Sequence, residues 1–147
     1  MIKKDIEAEI IVSLKAGKQT ELKVLRYILS EIKYAEIAKQ KELLDEETIT
    51  LIHKEIKKRR EAIELFKKGG RQDLVSDEEK QLTVIEKYLP KQMSTEELSK
   101  IIDEVISSST DQTNSGKLIG LVMAKVRGKA DGSQVAKLVG QKLGKSS

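Results

Sequence analysis

Cysteine is absent from the chain, which excludes disulfides, thiolate chemistry and cysteine-containing zinc sites. Histidine occurs once, as His53, beside an Ile49/Ile52/Ile56 stripe at helical spacing. A surface or core-edge place on a helix fits it better than a catalytic triad or a metal cluster. Aromatic residues make up only 3% of the sequence, so any core must be aliphatic. Tyr27, Tyr34, Tyr88 and Phe66 are the complete set, leaving little surface to stack on unpaired bases. No run approaches the ~18 apolar residues of a membrane span, and the opening "MIKKDIEAEIIVSLKAGKQ" lacks an apolar stretch of signal-peptide length. A cytoplasmic protein without membrane contact is expected.

What is present is aliphatic and charged. Hydrophobic residues at 38% and charged residues at 35% of 147 predict an ordered, strongly helical chain, large enough for one domain or two small ones. Ile2, Ile6, Ile10 and Leu14 mark a first helix that ends at Ala16-Gly17-Lys18. Leu22, Leu25, Leu29 and Ile32, widened by Ile28 and Ala35, place a second over Glu21 to about Lys39. A third runs from Glu47 to Lys68, with Ile49, Ile52, Ile56, Ile63 and Phe66 inward and Gly69-Gly70 as its stop. Arg59 interrupts that stripe; its stem is expected to cover the core edge while its guanidinium reaches a carboxylate or solvent. Asp45, Glu46 and Glu47 complement the dipole at a helix start better than they serve as catalytic carboxylates.

Ser76 with Glu79, and Ser94 with Glu97, have the spacing of capping boxes ahead of Leu82/Ile85/Leu89 and Leu98/Ile101/Ile102/Val105. Between them Pro90, the one proline, ends the fourth helix at about Leu89 and marks a boundary between a domain over 1–90 and one over 94–147. The second domain reads as three short helices, the last two carrying Leu118, Ile119, Val122, Met123 and Val126, then Val135, Leu138, Val139 and Leu143 behind an Asp131/Gln134 cap. The expected fold class is all-α: an N-terminal helical bundle followed by a small three-helix C-terminal domain.

Charge is unevenly spread. Over 94–111 five acids face one base, Lys100, whereas over 112–147 seven bases, Lys145 among them, face only Asp131. The basic candidates of that last block, Lys117, Lys125, Arg127, Lys129, Lys137 and Lys142, fit either contacts to nucleic-acid phosphates or a solvated face. Lys54, Lys57, Lys58 and Arg60 form a secondary basic patch. There Glu55 with Arg59, Lys57 with Glu61 and Arg60 with Glu64 have ion-pair spacing, so a self-paired face competes with a phosphate contact. With few aromatics, any nucleic acid recognised should be folded or double-stranded. Gly116 and Gly120 could let another backbone approach, Gly128 could take a left-handed helix stop, and Asp131-Gly132 could turn the chain. No residue set suggests a catalytic site, a metal site or a bound cofactor, and "GKLIG" lacks the pattern of a phosphate loop.

"SGKLIGLVMAKVRGKADGSQVAKLVGQKL", together with "LRYILSEIKYAEI" and "GRQDL" through "YLPKQMS", resembles the GatB/YqeY family. That family joins small free-standing YqeY-like proteins to the tail of the B subunit of aspartyl/glutamyl-tRNA amidotransferase. The resemblance covers residues 20–143 and implies two helical domains, the second similar to a tRNA-contacting appendage. It implies Gly116, Lys117, Lys125, Arg127, Lys129, Asp131, Gly132 and Lys137 as that appendage's surface or scaffold. Ser115 departs from the pattern, which implies methionine there. The part of the amidotransferase subunit that performs glutamine-dependent carbon-nitrogen ligation has no counterpart here. The implied function is a non-catalytic tRNA or structured-RNA binding module. The alternative is an adaptor docking on a synthetase or amidotransferase through exposed Leu118, Val122 or Met123, and an independent ligase is the least favoured reading.

Overall fold

Among residues 1–144, which the computed structural model describes, seven α-helices form and no strand does. They are α1 Ile2–Ala16, α2 Gln19–Lys39, α3 Asp45–Lys68, α4 Gln72–Glu86, α5 Thr95–Ser108, α6 Ser115–Val126 and α7 Gly132–Lys142. Lys145 lies outside the described residues. The helices gather into two compact units, Met1–Leu89 with α1 to α4 and Pro90–Ser147 with α5 to α7. The chain is thus all-α, an N-terminal bundle followed by a three-helix unit, as its apolar spacing predicts.

In the first unit α1 packs on α2, α3 on α4, and α2 also on α4. The shared core is aliphatic, with Ile6, Leu25, Ile28, Ile32, Ile52 and Ile85 at its centre. Gly17, at φ 70, stops α1, and the amides of Gly17 and Lys18 take the carbonyls of Leu14 and Ser13. That is the left-handed stop a glycine allows without a Cβ clash. The α2–α3 turn has no glycine; Gln40 itself adopts φ 59. A carboxylate holds that turn. Glu36 accepts from Lys3 Nζ at 2.7 Å and from the Leu43 amide at 2.9 Å. Those two donors, Lys3 first, hold the Glu36 carboxyl below the ordinary carboxylate range, and the same contact raises the Lys3 ammonium.

Arg59 sits where the apolar stripe of α3 is broken, and its side chain is only 11% exposed. Its guanidinium donates to Glu55 at 3.1 Å, to Glu78 at 3.2 Å and to Gln81 at 2.6 Å, and lies 5.6 Å from the centroid of the Tyr27 ring. The carboxylate expected for it is therefore two carboxylates on two helices. The other expected pairs differ: Arg60 reaches Glu86 on α4 rather than Glu64, Glu64 pairs with Lys67, and Lys57–Glu61 is not paired among the described residues. For Arg60 a partner across the α3–α4 hairpin replaces the same-helix one, and Arg59 adds Glu78 on α4 to its same-helix Glu55.

Three other expectations are corrected. Leu14 does not continue the α1 stripe; it is exposed, and Ser13 is fully buried in its place with no hydrogen-bond partner for its Oγ. Step spacing explains this, because a face passing through Ile6 and Ile10 meets residue 13 before residue 14 turns away. The fourth helix starts at Gln72, not behind a Ser76 cap, and Ser76 lies exposed within it. Gly70, at φ 69, ends the α3 turn so tightly that α4 begins at once, with Val75 adding a buried position that the Ser76 start would have left out. Its end comes at Glu86, where i to i+3 bonds from Tyr88 to Ile85 and from Leu89 to Glu86 tighten the last turn before Pro90.

The second unit is built from shorter helices and better caps. Ser94 Oγ accepts from the Glu97 amide at 3.2 Å while Glu97 Oε2 accepts from the Ser94 amide at 3.1 Å, the reciprocal box its spacing predicts. Asn114 caps α6 through the Lys117 amide at 3.1 Å, and Asp131 caps α7 with Ser133, rather than Gln134, as the partner it receives bonds from. Leu98, Ile102, Leu118, Val122, Val126, Val135 and Val139 are fully buried and form its core.

Candidate nucleic-acid interface

The α6–α7 connection gathers part of the expected basic surface. Lys125 stands in the last turn of α6, and Arg127 and Lys129 stand in the loop before α7; all three are exposed and form no ion pair among the described residues. The loop backbone is unusual. Arg127, at φ 38 and ψ 64, and Gly128, at φ 83, are both left-handed. Gly128 was legible as a stop; Arg127 was not, because a branched-free cationic side chain carries no sign of a positive φ. Two consecutive left-handed residues reverse the chain within one turn and point successive side chains apart.

Residues from far along the sequence hold that loop in place. The Met93 amide donates to the Lys129 carbonyl at 2.8 Å, and Gln92 Nε2 donates to the Gly128 carbonyl at 3.0 Å. Neither partner was anticipated, since a contact 36 residues apart leaves no local pattern. Arg127 Nε turns back to the Ala124 carbonyl at 3.2 Å, capping the end of α6 and complementing its negative pole. The remaining guanidinium donors of Arg127 are not used by an ion pair, which suits a group that grips phosphate in a fork. Asp131, the one acid of the basic block, accepts from Ser133 and caps α7, as expected.

The other candidates are spread out. Lys117 is exposed in the first turn of α6, two turns and roughly 12 Å along the axis from Lys125. Lys137 is exposed on α7, on the side opposite Val135 and Val139. Lys142 reaches back to Asp103 on α5 at 2.8 Å, so its charge already has a partner within the unit. Among the described residues, no other part of the chain approaches Gly116 or Gly120 closely. A Cβ at Gly120 would meet nothing within 4 Å, and one at Gly116 only the Asn114 side chain at 3.5 Å. The small residues face outward because Leu118, Val122 and Val126 already occupy the inward side of α6. At Gly132, by contrast, an added Cβ would meet Met123 Cε at 3.8 Å, an ordinary contact. In the secondary patch Lys54, Lys57 and Lys58 are exposed, Arg60 is exposed and paired with Glu86, and His53 is half-buried. Among the described residues no group of three or more His, Asp or Glu side chains could hold a metal ion, and no helix is long and apolar enough to cross a membrane.

Fold and surface together define a class: a helical, two-unit chain whose C-terminal unit ends one helix in a braced, basic reversal. The chain belongs to the YqeY family of Yqey-like proteins, whose model matches residues 3–143. It is 34% identical to an uncharacterized protein of Schizosaccharomyces pombe over 89 residues, 60% of this chain and 72% of that protein. It is also 28% identical over 145 residues to a Pyrenophora tritici-repentis protein named altered inheritance of mitochondria protein 41, mitochondrial; the match spans 95% of this chain and 79% of that one.

Proposed function

We propose that the chain is a non-catalytic module that binds tRNA or another structured RNA, related to tRNA-dependent amidation, and that the α6–α7 reversal is its contact. The observation that carries this reading is Lys125, Arg127 and Lys129: three exposed cations, within five residues and without ion-pair partners among the described residues, on a backbone braced from Gln92 and Met93. A braced loop loses little entropy when it meets a ligand, and a cationic one meets an anion. The resemblance of the tail to the tRNA-contacting appendage of the amidotransferase supports the same assignment. Lys117 and Lys137 extend the contact; Lys142 and the Lys54/Lys57/Lys58/Arg60 patch stand outside its centre.

Protein docking is the second reading, and it needs a different face. Leu118 and Val122 are fully buried and Met123 is half-buried against the core, so the apolar patch expected from them is not on the surface. In the second unit Leu121 is exposed beside the open Gly120, and in the first unit Ile11, Val12, Leu14, Ile37, Leu44 and Leu65 are exposed, so a synthetase or amidotransferase would dock on one of these faces.

Replacement of Lys125, Arg127 and Lys129 together with alanine tests the first reading. At a slope of about 0.9 per phosphate, three contacts account for roughly 40-fold of the affinity lost between about 50 and 200 mM salt. The triple variant should bind tRNA more weakly, lose about one unit of salt slope per contact, and keep its helicity. Unchanged tRNA binding with retained helicity overturns the assignment.

A further inference from the structure

The outer face of α2 carries aromatic and basic side chains that the bundle does not use. Leu22, Leu25, Ile28 and Ile32 point into the core; Tyr27 and Tyr34 are exposed on the far side with Lys23 beside them, and Arg26 and Lys33 are exposed about 100° round the helix from the rings. Tyr34 is 71% exposed and Tyr27 42%; these are two of the three tyrosines in the chain. Seven residues apart, they lie within about 20° on one stripe of the helix and about 10.5 Å apart along its axis. Lys23, Arg26 and Lys33 form no ion pair among the described residues. Of the three acids of α2, all half-buried, Glu36 is bound to Lys3 and the Leu43 amide, whereas Glu31, four residues after Tyr27 and three before Tyr34, stands at the edge of the stripe. Around the rings three exposed cations thus outnumber one half-buried carboxylate, Glu31.

Tyr27 is also held in place. The Arg59 guanidinium lies over its ring at 5.6 Å and is itself fixed by Glu55, Glu78 and Gln81. A ring braced by a bound cation presents its exposed surface in one orientation.

We propose that this face of α2 is a second ligand surface, which takes an unpaired stretch of single-stranded RNA, with bases on Tyr27 and Tyr34 and phosphates at Lys23, Arg26 and Lys33. Aromatic rings beside a cationic track are what such strands use, because every base has a π-face and every linkage a charge. The spacing of the rings equals about three steps of a stacked strand at about 3.4 Å each. The proposal goes beyond the α6–α7 contact and concerns the other unit. It also revises the sequence-based expectation that only folded or double-stranded RNA is recognised.

The chain has no tryptophan and two of its three tyrosines lie on this face, so its tyrosine fluorescence reports the face over a background from Tyr88. Titration of the full chain with a 12-nucleotide oligo(U) RNA should quench that emission. Tyr34→Ala should weaken binding by roughly 5- to 150-fold, while Tyr34→Phe keeps it, since the ring and not the hydroxyl is used. Tyr34 is exposed enough that its variants should fold, which circular dichroism checks. The alanine variant of Lys125, Arg127 and Lys129 should still quench with oligo(U). Absence of quenching in the wild-type chain, or equal oligo(U) affinity in Tyr34→Ala, overturns this proposal whatever tRNA does. Loss of oligo(U) quenching in the Lys125/Arg127/Lys129 variant also overturns it, because the strand would then sit on the tail. Unchanged tRNA binding in that variant, with oligo(U) binding dependent on Tyr34, overturns the α6–α7 reading alone.

Discussion

The two units reach a folded state by different means. The first is joined by ion pairs between helices: Lys3 to Glu36, Lys39 to Glu47, Arg60 to Glu86, and Arg59 to Glu78, with Glu55 binding the same Arg59 from within α3. The second has one ion pair among the described residues, Lys142 to Asp103, and instead closes its helix starts with the side chains of Ser94, Asn114 and Asp131. Long helices supply enough lateral surface for cross-helix charge pairs. Short ones gain more from satisfied ends, since unsatisfied terminal amides are a larger share of them. Among the described residues the second unit thus keeps Lys125, Arg127 and Lys129 out of ion pairs, whereas the first commits several cations to itself.

Four perturbations should break or sharpen that contrast. The largest is Ile102→Ala, which removes a fully buried side chain from the small core of the second unit and should cost about 2–5 kcal/mol. Hydrogen exchange should show α5 to α7 losing protection while α1 to α4 keep theirs; uniform loss would mean that the units do not fold separately. Arg59→Ala should follow at about 3 kcal/mol, because it leaves the nearly buried Glu55 without its counter-charge. Here the loss belongs to the first unit, measured by the same exchange.

Gly128→Val should cost about 1–3 kcal/mol through its positive φ, visible as a lower urea midpoint with all charges intact. A midpoint equal to wild type would show that the reversal tolerates another backbone. The smallest effect is that of acid. Glu36, Glu47 and Asp73 in the first unit are held below their ordinary values, mainly by Lys3, Lys39 and Arg71, and in the second unit Asp111 is so held by Thr113. Carboxyls with lowered values stabilise the fold fully above their unfolded values, and that contribution is lost as pH falls through the folded ones. Between pH ~5 and ~3 the first unit should therefore lose more exchange protection than the second; the reverse order would contradict the contrast.

Much of this was legible in the sequence, and the failures share a cause. Apolar spacing and the glycines at 17, 69, 70 and 128 located helix bodies and stops, since both signals act within a few residues. The Ser94/Glu97 box was real, but the same spacing at Ser76/Glu79 lies within α4, where both side chains are exposed. A four-residue pattern cannot tell a helix start from a helix surface. Lys142 looked like its neighbours until Asp103 was found beside it, and Arg60 chose Glu86 over the nearer Glu64. Sequence gave the charges; only the packing of α5 on α7 and of α3 on α4 decides which are spent. The α2 stripe was present as well, two tyrosines seven positions apart, but counting aromatics hid that both face outward.

Binding of the full chain to total tRNA, with a duplex DNA of equal length as control, at about 50 and then about 200 mM salt tests the central claim most directly. The account predicts preference for tRNA at both salts, with a slope that the Lys125/Arg127/Lys129 alanine variant reduces. Equal binding to tRNA and duplex DNA, or none to either, would contradict it and leave the basic reversal a solvated end of α6.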